Sequence, residues 1–224
     1  MLLAENLLLL VTDDASGRLS VPGDQLDKGL GGANLVELTL MGRVDLSEED
    51  GAGKPGRLVV RDPSPAGDEV LDAALRIVLA HAGRKPSAVI RPLGKDLRRT
   101  LYERLAANGA VRAERGRALG VFPVRRWPAQ DAGHEAELRQ LVTQALVQHA
   151  APDPGTAALI ALVHALRCEH KIVDPRLSGL SRRQLRTRAE EITEGSWAPE
   201  SVRTMIDAIA AAVKAAAAAS AAAG

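Results

Sequence analysis

The chain of 224 residues is long enough for one large domain or two small ones, and its formal net charge of +1 confines any basic function to local patches. Hydrophobic residues make up 46% of the sequence but aromatic residues only 2%, a composition that favours packed helices over a β-sandwich. The single cysteine, Cys168, excludes an internal disulfide, as is typical of a reducing compartment.

The N-terminal segment, MLLAENLLLLV, is strongly apolar but does not fit a secretory signal peptide. It lacks a basic n-region and a small-residue cleavage pattern, and Glu5 interrupts the apolar run. No uninterrupted apolar segment reaches the roughly 18 residues of a membrane span. We therefore expect a buried first helix or strand in a cytoplasmic protein that is at most peripheral on the inner face of a membrane.

The segment Gly29–Leu46, GLGGANLVELTLMGRVDL, is the predicted centre of the fold. Its apolar run predicts a buried helix, in which Asn34 and Glu37 are polar exceptions that need partners or contact with water. We predict that Gly31 and Gly32 belong to a turn before this helix. A glycine turn that leads into a helix N-terminus suits a phosphate, and a plain turn into a core helix is the alternative.

Hairpins and helices follow. Val44–Leu46 and Arg57–Arg61 flank a loop rich in glycine and charge, and are predicted to pair as strands. A helix is predicted to start at Asp68 and to end at Gly83, and Ser87–Ile90 is predicted to be a connector.

A basic helix is predicted from Leu93 to Asn108, with Gly109 as its C-cap. Lys95 and Arg98 are three residues apart and are therefore expected on one face of this helix. Two cations one turn apart suit a phosphate or a phosphoinositide headgroup, and an ordinary solvated helix face is the alternative.

A second hairpin is predicted from strands at Val111–Glu114 and Ala118–Val124, with a turn between them. It combines apolar and basic side chains, which suits insertion at an anionic membrane surface or a dimer contact. A hairpin folded onto its own helices is the alternative. The residues expected to contribute are Leu119, Val121, Phe122, Arg115 and Arg117, with Arg115-Gly116-Arg117 as the turn.

The remainder is predicted to be helical. Apolar periodicity predicts a helix after Gly133, and the apolar segment Ala157–Leu166, capped by Thr156, predicts a second central helix. Ser181 is expected to cap a basic helix, and Pro199 to start the last one.

These elements predict a mainly α fold: a single domain of amphipathic helices around buried central helices, with short marginal β-hairpins. The domain is expected to span residues 1–213, and residues 214–224 form an alanine-rich C-terminal extension.

Motifs of catalytic chemistry are missing from the sequence: it has no GxSxG, no P-loop lysine after a glycine loop, no GxGxxG and no HExxH. His164 and Cys168 are four residues apart on one predicted helical face. No second pair supplies further ligands at zinc-like spacing, so we interpret both as core residues. We therefore predict neither an enzyme, nor a cofactor, nor a metal site.

Four segments resemble, in the same order, the Golgi phosphoprotein 3 family: LLLLVTDDASG, GLGGANLVELTLMGRVDL, DPSPAGDEVLDAALRIV, and LYERLAANGAVRAE with its hairpin. The resemblance covers most of the chain, and the richness in alanine, arginine and glycine suggests a bacterial member. It implies a mostly α fold around a buried helix and recognition of phosphatidylinositol 4-phosphate at a membrane surface. Eukaryotic members are peripheral adaptors that retain glycosyltransferases in the Golgi and self-associate through a hydrophobic β-hairpin.

The resemblance also implies a headgroup pocket. In the family, a tryptophan and an arginine come from the loop before the buried helix, and two arginines one turn apart come from the later basic helix. Lys95 and Arg98 correspond to the helix arginines, Pro22 stands at the tryptophan position, and Gly31 stands at the loop arginine position. Backbone N–H groups of Gly31 and Gly32 are candidates to replace the missing guanidinium. The implied partner is an anionic phospholipid or phosphoinositide headgroup at a membrane surface.

Two other interpretations stay open. A helix followed by Gly109 and a basic hairpin also describes a winged-helix nucleic-acid-binding unit, with Arg98 and Arg99 on the recognition helix. The near-neutral charge and the apolar strand argue against a nucleic-acid partner. A homo-oligomeric helical scaffold, assembled through the hairpin, is the other interpretation.

Overall fold

A computed structural model describes residues 1–48, 54–118, 122–131, 133–195 and 197–222. These residues form helices and two separate two-stranded antiparallel sheets, which confirms the mainly α fold with short hairpins. The helices are α1 (Leu3–Leu10), α2 (Gly23–Leu40), α3 (Glu69–Ala80), α4 (Ser87–Gly94), α5 (Leu97–Ala107), α6 (Gly133–Val147), α7 (Pro154–Ala165), α8 (Glu169–Ile172), α9 (Pro175–Ser178), α10 (Arg182–Glu194) and α11 (Glu200–Ala222). The sheets pair β1 (Val44–Leu46) with β2 (Leu58–Val60), and β3 (Glu114–Ala118) with β4 (Phe122–Arg126).

Helix α2 lies at the centre of the fold, as predicted from its apolar run. It packs against α1, α3, α4, α5, α7 and α11, and its residues Leu30 and Leu35 are fully buried. The helix begins at Gly23, however, and not after the glycine cluster. The predicted turn at Gly31 and Gly32 is therefore wrong, because both glycines lie inside the helix and are buried.

The buried glycines of α2 allow other helices to approach its backbone closely. A Cβ atom at Gly31 would lie 2.5 Å from the carbonyl oxygen of Ile90 and 2.6 Å from the backbone nitrogen of Gly94, both on α4. Gly94 itself faces the carbonyl oxygen of Asp27 on α2 with no room for a side chain, and a Cβ at Gly32 would collide with α11. Glycine is required here for contact between backbones and not for a turn.

Other boundaries also differ from the predicted ones. The segment Ser87–Ile90, predicted as a connector, is the first half of α4. The basic helix starts four residues later than predicted, at Leu97, because Asp96 adopts a left-handed conformation (φ 58°) and separates α4 from α5. Helix α7 is capped by the side chain of Asp153 rather than by Thr156, since the Asp153 carboxylate accepts hydrogen bonds from the first amides of the helix.

Both predicted hairpins are present, but the turn of the second one was misplaced. The register of β3 and β4 runs from Glu114 opposite Arg126 to Ala118 opposite Phe122. The segment Arg115-Gly116-Arg117, predicted as the turn, therefore lies within β3, where Gly116 pairs with Val124. The strands are connected through residues 119–121, so Leu119 and Val121 lie outside the described residues, as do the side chains of Arg115, Arg117 and Phe122.

The second central helix, α7, is buried along most of its length, as predicted. The last helix, α11, is continuous from Glu200 to Ala222, so the expected domain boundary at residue 213 lies within it and stays a prediction. In the described parts of the chain, none of the helices combines the length and the apolarity that a membrane span requires.

A buried carboxylate, Glu135, lies at the start of α6. The Nε of Arg139 donates a hydrogen bond to Glu135 Oε1 over 2.8 Å, and the Nη groups of Arg139 donate to the carbonyl oxygens of Leu10 and Ile172. Burial raises the pKa of Glu135 to about 8, and the neighbouring Asp14 adds to the rise. Arg139 therefore links α6 to α1 and α8, and the carboxyl group of Glu135 beside it binds a proton near neutral pH.

The close contact between α2 and α4 predicts that Gly31→Ala lowers the free energy of unfolding by about 2–3 kcal/mol, because neither backbone can move away from the new Cβ. Gly29→Ala is the matched control, since its Cβ would meet only the side chain of Leu166, at 3.1 Å or more. We expect it to change the free energy by less than about 1 kcal/mol. Urea unfolding followed by circular dichroism measures both, and equal effects would contradict the close packing.

The raised pKa of Glu135 predicts a loss of stability as pH rises. The carboxyl group titrates at 4.5 in the unfolded chain and at about 8 in the folded one, so the folded state binds more protons between these values. Its contribution is complete below pH 4.5 and is lost towards pH 8, by up to about 5 kcal/mol. Glu135→Gln should flatten this part of the profile in urea unfolding at several pH values, whereas the exposed Glu137→Gln should not. An unchanged profile for Glu135→Gln would refute the assignment.

Candidate functional site

The candidate site lies where the N-termini of α2 and α5 come together. Pro22 precedes the first residue of α2 and Asp96 precedes that of α5, and neither N-cap side chain hydrogen-bonds to its helix. The amides in both first turns therefore lack a side-chain cap, and the helix dipoles give both ends a partial positive charge. Uncapped helix N-termini bind anions through their backbone N–H groups.

Arg98, in the first turn of α5, connects the two helix ends. Its guanidinium group packs against Gly23, the first residue of α2, where a Cβ would collide with Nη1. Its Nε lies 3.3 Å from Oδ1 of Asp27, and one-third of the side chain is exposed. The structure thus brings Arg98 next to exposed Pro22, two residues that the family resemblance assigned to one pocket.

Lys95 lies beside this site but not on the predicted helix face. It is the C-cap residue of α4, with an extended backbone (φ −65°, ψ 125°), and Asp96 separates it from α5. The prediction that Lys95 and Arg98 occupy one helix is therefore wrong. The Lys95 side chain is exposed, and its ammonium group has no hydrogen bond or ion pair within the described ranges of the chain.

Carboxylates compete for the cations of the site. Burial raises the pKa of Asp27, and the charges of Asp24 and Asp96 act in the same direction, whereas Arg98 and Lys28 oppose the rise. When Asp27 is ionised, its carboxylate forms an ion pair with the guanidinium group of Arg98. Protonation of Asp27, or a stronger anion, would therefore release Arg98 for another partner.

Gly31 and Gly32 are not part of this site. They lie in the interior of α2 and are buried, and amides in a helix interior already donate to the carbonyl group four residues earlier. The uncapped amides belong instead to the residues that begin with Gly23. The sequence carried a signal for this start, because a proline followed by an acidic residue in the first turn is typical of a helix N-terminus.

Arg104, on α5, belongs to an ion-pair network around the buried carboxylate of Glu5. Its Nε donates to Glu5 Oε1 and its Nη1 to Asp68 Oδ1, both over 2.8 Å. Glu5 is only 1% exposed and also accepts a hydrogen bond from the Leu2 amide. Arg104 therefore neutralises a buried carboxylate and links α1 and α5 to the start of α3.

The base of the β3–β4 hairpin is held against α5. The indole ring of Trp127, just after β4, stacks on Tyr102 of α5 with ring centroids 4.9 Å apart. The Tyr102 hydroxyl lies 2.7 Å from Oγ1 of Thr12, which follows α1. The hairpin is therefore anchored next to the helix that carries Arg98, while its role in membrane or dimer contact stays a prediction.

His164 and Cys168 are core or near-core residues with separate partners. The Cys168 thiol is buried and directed at the carbonyl oxygen of Val163 at 3.5 Å. His164 Nδ1 lies 2.7 Å from Oε1 of Glu169. Across the described residues, no three His, Cys, Asp or Glu side chains are grouped so that they could hold a metal ion.

The family model described as Golgi phosphoprotein 3 (GPP34) matches residues 3–209, which include α1 to α10 and the first part of α11. The chain belongs to the Golgi phosphoprotein 3 family. No curated protein matches it. Membership of the Golgi phosphoprotein 3 family is consistent with a peripheral membrane adaptor that is not an enzyme. The bacterial origin suggested by composition stays a hypothesis.

The ion-pair network around Glu5 predicts that Arg104→Met lowers the free energy of unfolding by about 3–5 kcal/mol, because Glu5 is left buried without a cationic partner. Arg99→Met, which removes an exposed arginine from the same helix, should change it by less than about 0.5 kcal/mol. The second change Glu5→Gln should recover part of the loss in the Arg104→Met background. Thermal or urea unfolding measures all three, and similar effects of Arg104→Met and Arg99→Met would contradict a buried role for Arg104.

Proposed function

We propose that this family member is a non-catalytic peripheral membrane protein that binds an anionic phospholipid or phosphoinositide headgroup where α2 and α5 meet. The observation that carries the proposal is the position of the Arg98 guanidinium over the uncapped N-terminus of α2. Family membership supports the membrane-adaptor class, and the site supports an anionic ligand.

A phosphate group matches the chemistry of this site. Its oxygens accept charge-assisted hydrogen bonds from Arg98 and from the first amides of α2, and Lys95 adds a second, unpaired cation nearby. Pro22 supplies neither a stacking ring nor a hydrogen-bond donor. Recognition therefore depends on charge and backbone geometry more than on a ring stacked against the headgroup.

Asp27 sets the strength of this binding. A phosphate must displace its carboxylate from Arg98 or bind beside it, which lowers affinity for a weakly charged headgroup more than for a highly charged one. The proposal therefore includes a preference for phosphorylated inositol lipids over lipids with a single negative charge.

The β3–β4 hairpin is the second contact in this proposal, with either the membrane or a second copy of the chain. Its arginines suit an anionic surface and its apolar residues suit insertion or self-association. The residues involved are Arg115, Arg117, Leu119, Val121 and Phe122.

Cosedimentation with phosphatidylcholine vesicles that contain phosphatidylinositol 4-phosphate tests the headgroup site. Arg98→Ala is expected to reduce binding about tenfold, because it removes charge-assisted hydrogen bonds, and Lys95→Ala about fivefold. Asp27→Asn is expected to increase binding, since it frees the guanidinium group of Arg98.

Arg99→Ala removes a neighbouring exposed cation and is the matched control for the loss of charge alone. The assignment is wrong if the double variant Lys95→Ala, Arg98→Ala cosediments as well as the wild type. It is also wrong if Arg99→Ala reduces binding as much as Arg98→Ala, because then only the total charge matters.

A further inference from the structure

A groove of about 760 Å³ between α3 and α5 has features that headgroup binding at Arg98 does not use. Its walls include the apolar side chains of Val70 on α3, Leu93 on α4 and Leu97 on α5. The residue contributed by the central helix α2 is Asn34, which is only 1% exposed and therefore lies at the deep end. The volume falls within the range of about 300–1,000 Å³ that is typical of small-molecule pockets.

The side chain of Asn34 lacks the partner that a buried polar group requires. Its Oδ1 is buried and has no hydrogen-bond partner; in the described part of the chain, the only other buried side-chain atom without a partner is the donor Nε1 of Trp197. Other polar groups of α2 have partners: the hydroxyl of the buried Thr39 donates to the Leu35 carbonyl oxygen, and the half-buried Glu37 accepts from the Leu3 amide. An unpaired amide destabilises the unliganded fold, whereas an apolar side chain would suit this helix better.

The charges around the groove balance and therefore favour a neutral ligand. Equal numbers of cationic and anionic side chains line it, so the net charge of the lining is zero. Donors and acceptors thus both line the groove, although the guanidinium group of Arg104 is also held by Glu5 and Asp68. The cationic residues are Arg76, Lys95 and Arg104, and the anionic residues are Glu69, Asp72 and Glu103.

The amide group narrows the chemistry of the ligand further. Rotation of the Asn34 side chain by half a turn exchanges Oδ1 and Nδ2, so the same position offers either an acceptor or a donor. A hydroxyl group can both donate and accept a hydrogen bond, and it fits either orientation. Several hydroxyls on one molecule also match the donors and acceptors that line the groove.

We propose that this groove binds a neutral polyhydroxylated molecule, with one hydroxyl group hydrogen-bonded to the Asn34 amide. The ligand is a free sugar or polyol, because such a molecule presents several hydroxyl groups without a net charge. The site stands on Asn34 and the lining of the groove, and it does not depend on Arg98.

The stability of Asn34→Leu separates a ligand-binding role from a structural one. The variant removes an unpaired polar group and keeps the branched shape with the same number of side-chain heavy atoms, so its melting temperature is expected to rise by about 2–6 °C without ligand. A fall in melting temperature would mean that the amide supports the fold through an unseen partner such as a buried water, and would overturn the proposal.

Binding is measured with two free probes, glucose and myo-inositol, by chemical-shift changes of the ¹⁵N-labelled protein. The wild type is expected to bind at least one probe at millimolar concentration, with shifts in α3 and α5. Asn34→Leu should weaken binding at least tenfold, and Arg98→Ala should leave it unchanged. Probe binding that is equal in the wild type and in Asn34→Leu overturns the site.

Vesicles distinguish a lipid-borne ring from a free ligand. Phosphatidylinositol and phosphatidylserine carry the same charge, but only the first presents a polyol ring. If the free probes do not bind, the proposal fails; if Asn34→Leu then reduces retention on phosphatidylinositol vesicles and spares phosphatidylserine vesicles, the groove belongs to the headgroup site instead. A failure of the headgroup site gives a different pattern, because Arg98→Ala would then have no effect on either lipid.

Discussion

The contact between the backbones of α2 and α4 is the constraint on which the rest of the structure depends. It exists because Gly31 and Gly94 have no side chains, and it presses the end of α4 against the first half of α2. Gly94 directly precedes Lys95 and Asp96, so the same contact determines where the chain leaves α4 and where α5 begins. The positions of the candidate cations follow from the packing of two helices and not from a binding loop.

The candidate headgroup site is therefore built differently from the one that the family resemblance implied. Backbone amides at the start of α2 and the guanidinium group of Arg98 take the place of a loop with its own side chains. A site of this kind tolerates substitution before the helix, because backbone N–H groups are present whatever the residue. Its strength depends on Asp27, which holds Arg98 when no ligand does.

Buried polar groups in this protein fall into two kinds. Glu5 and the half-buried Glu37 have partners on other helices, and Glu135 pairs with Arg139 of its own helix, which donates to Leu10 and Ile172, so these groups contribute to the arrangement of the bundle. Asn34 has no such partner and faces a groove lined by charges of both signs. Packing does not explain why this helix, which is otherwise apolar, carries an unpaired amide. The proposed ligand would give that amide a hydrogen-bond partner.

The sequence by itself determined the elements whose signals are local. The apolar run of α2, the helix start at Asp68 and the cap at Ser181 all follow from contacts within a few residues, and the structure confirms them. The tertiary structure alone decided the role of Gly31, the break at Asp96 and the pairing of Arg104 with the buried Glu5. Each depends on a partner that is distant along the chain, such as Glu5 for Arg104, and a hydrophobic period or a turn motif carries no information about such partners.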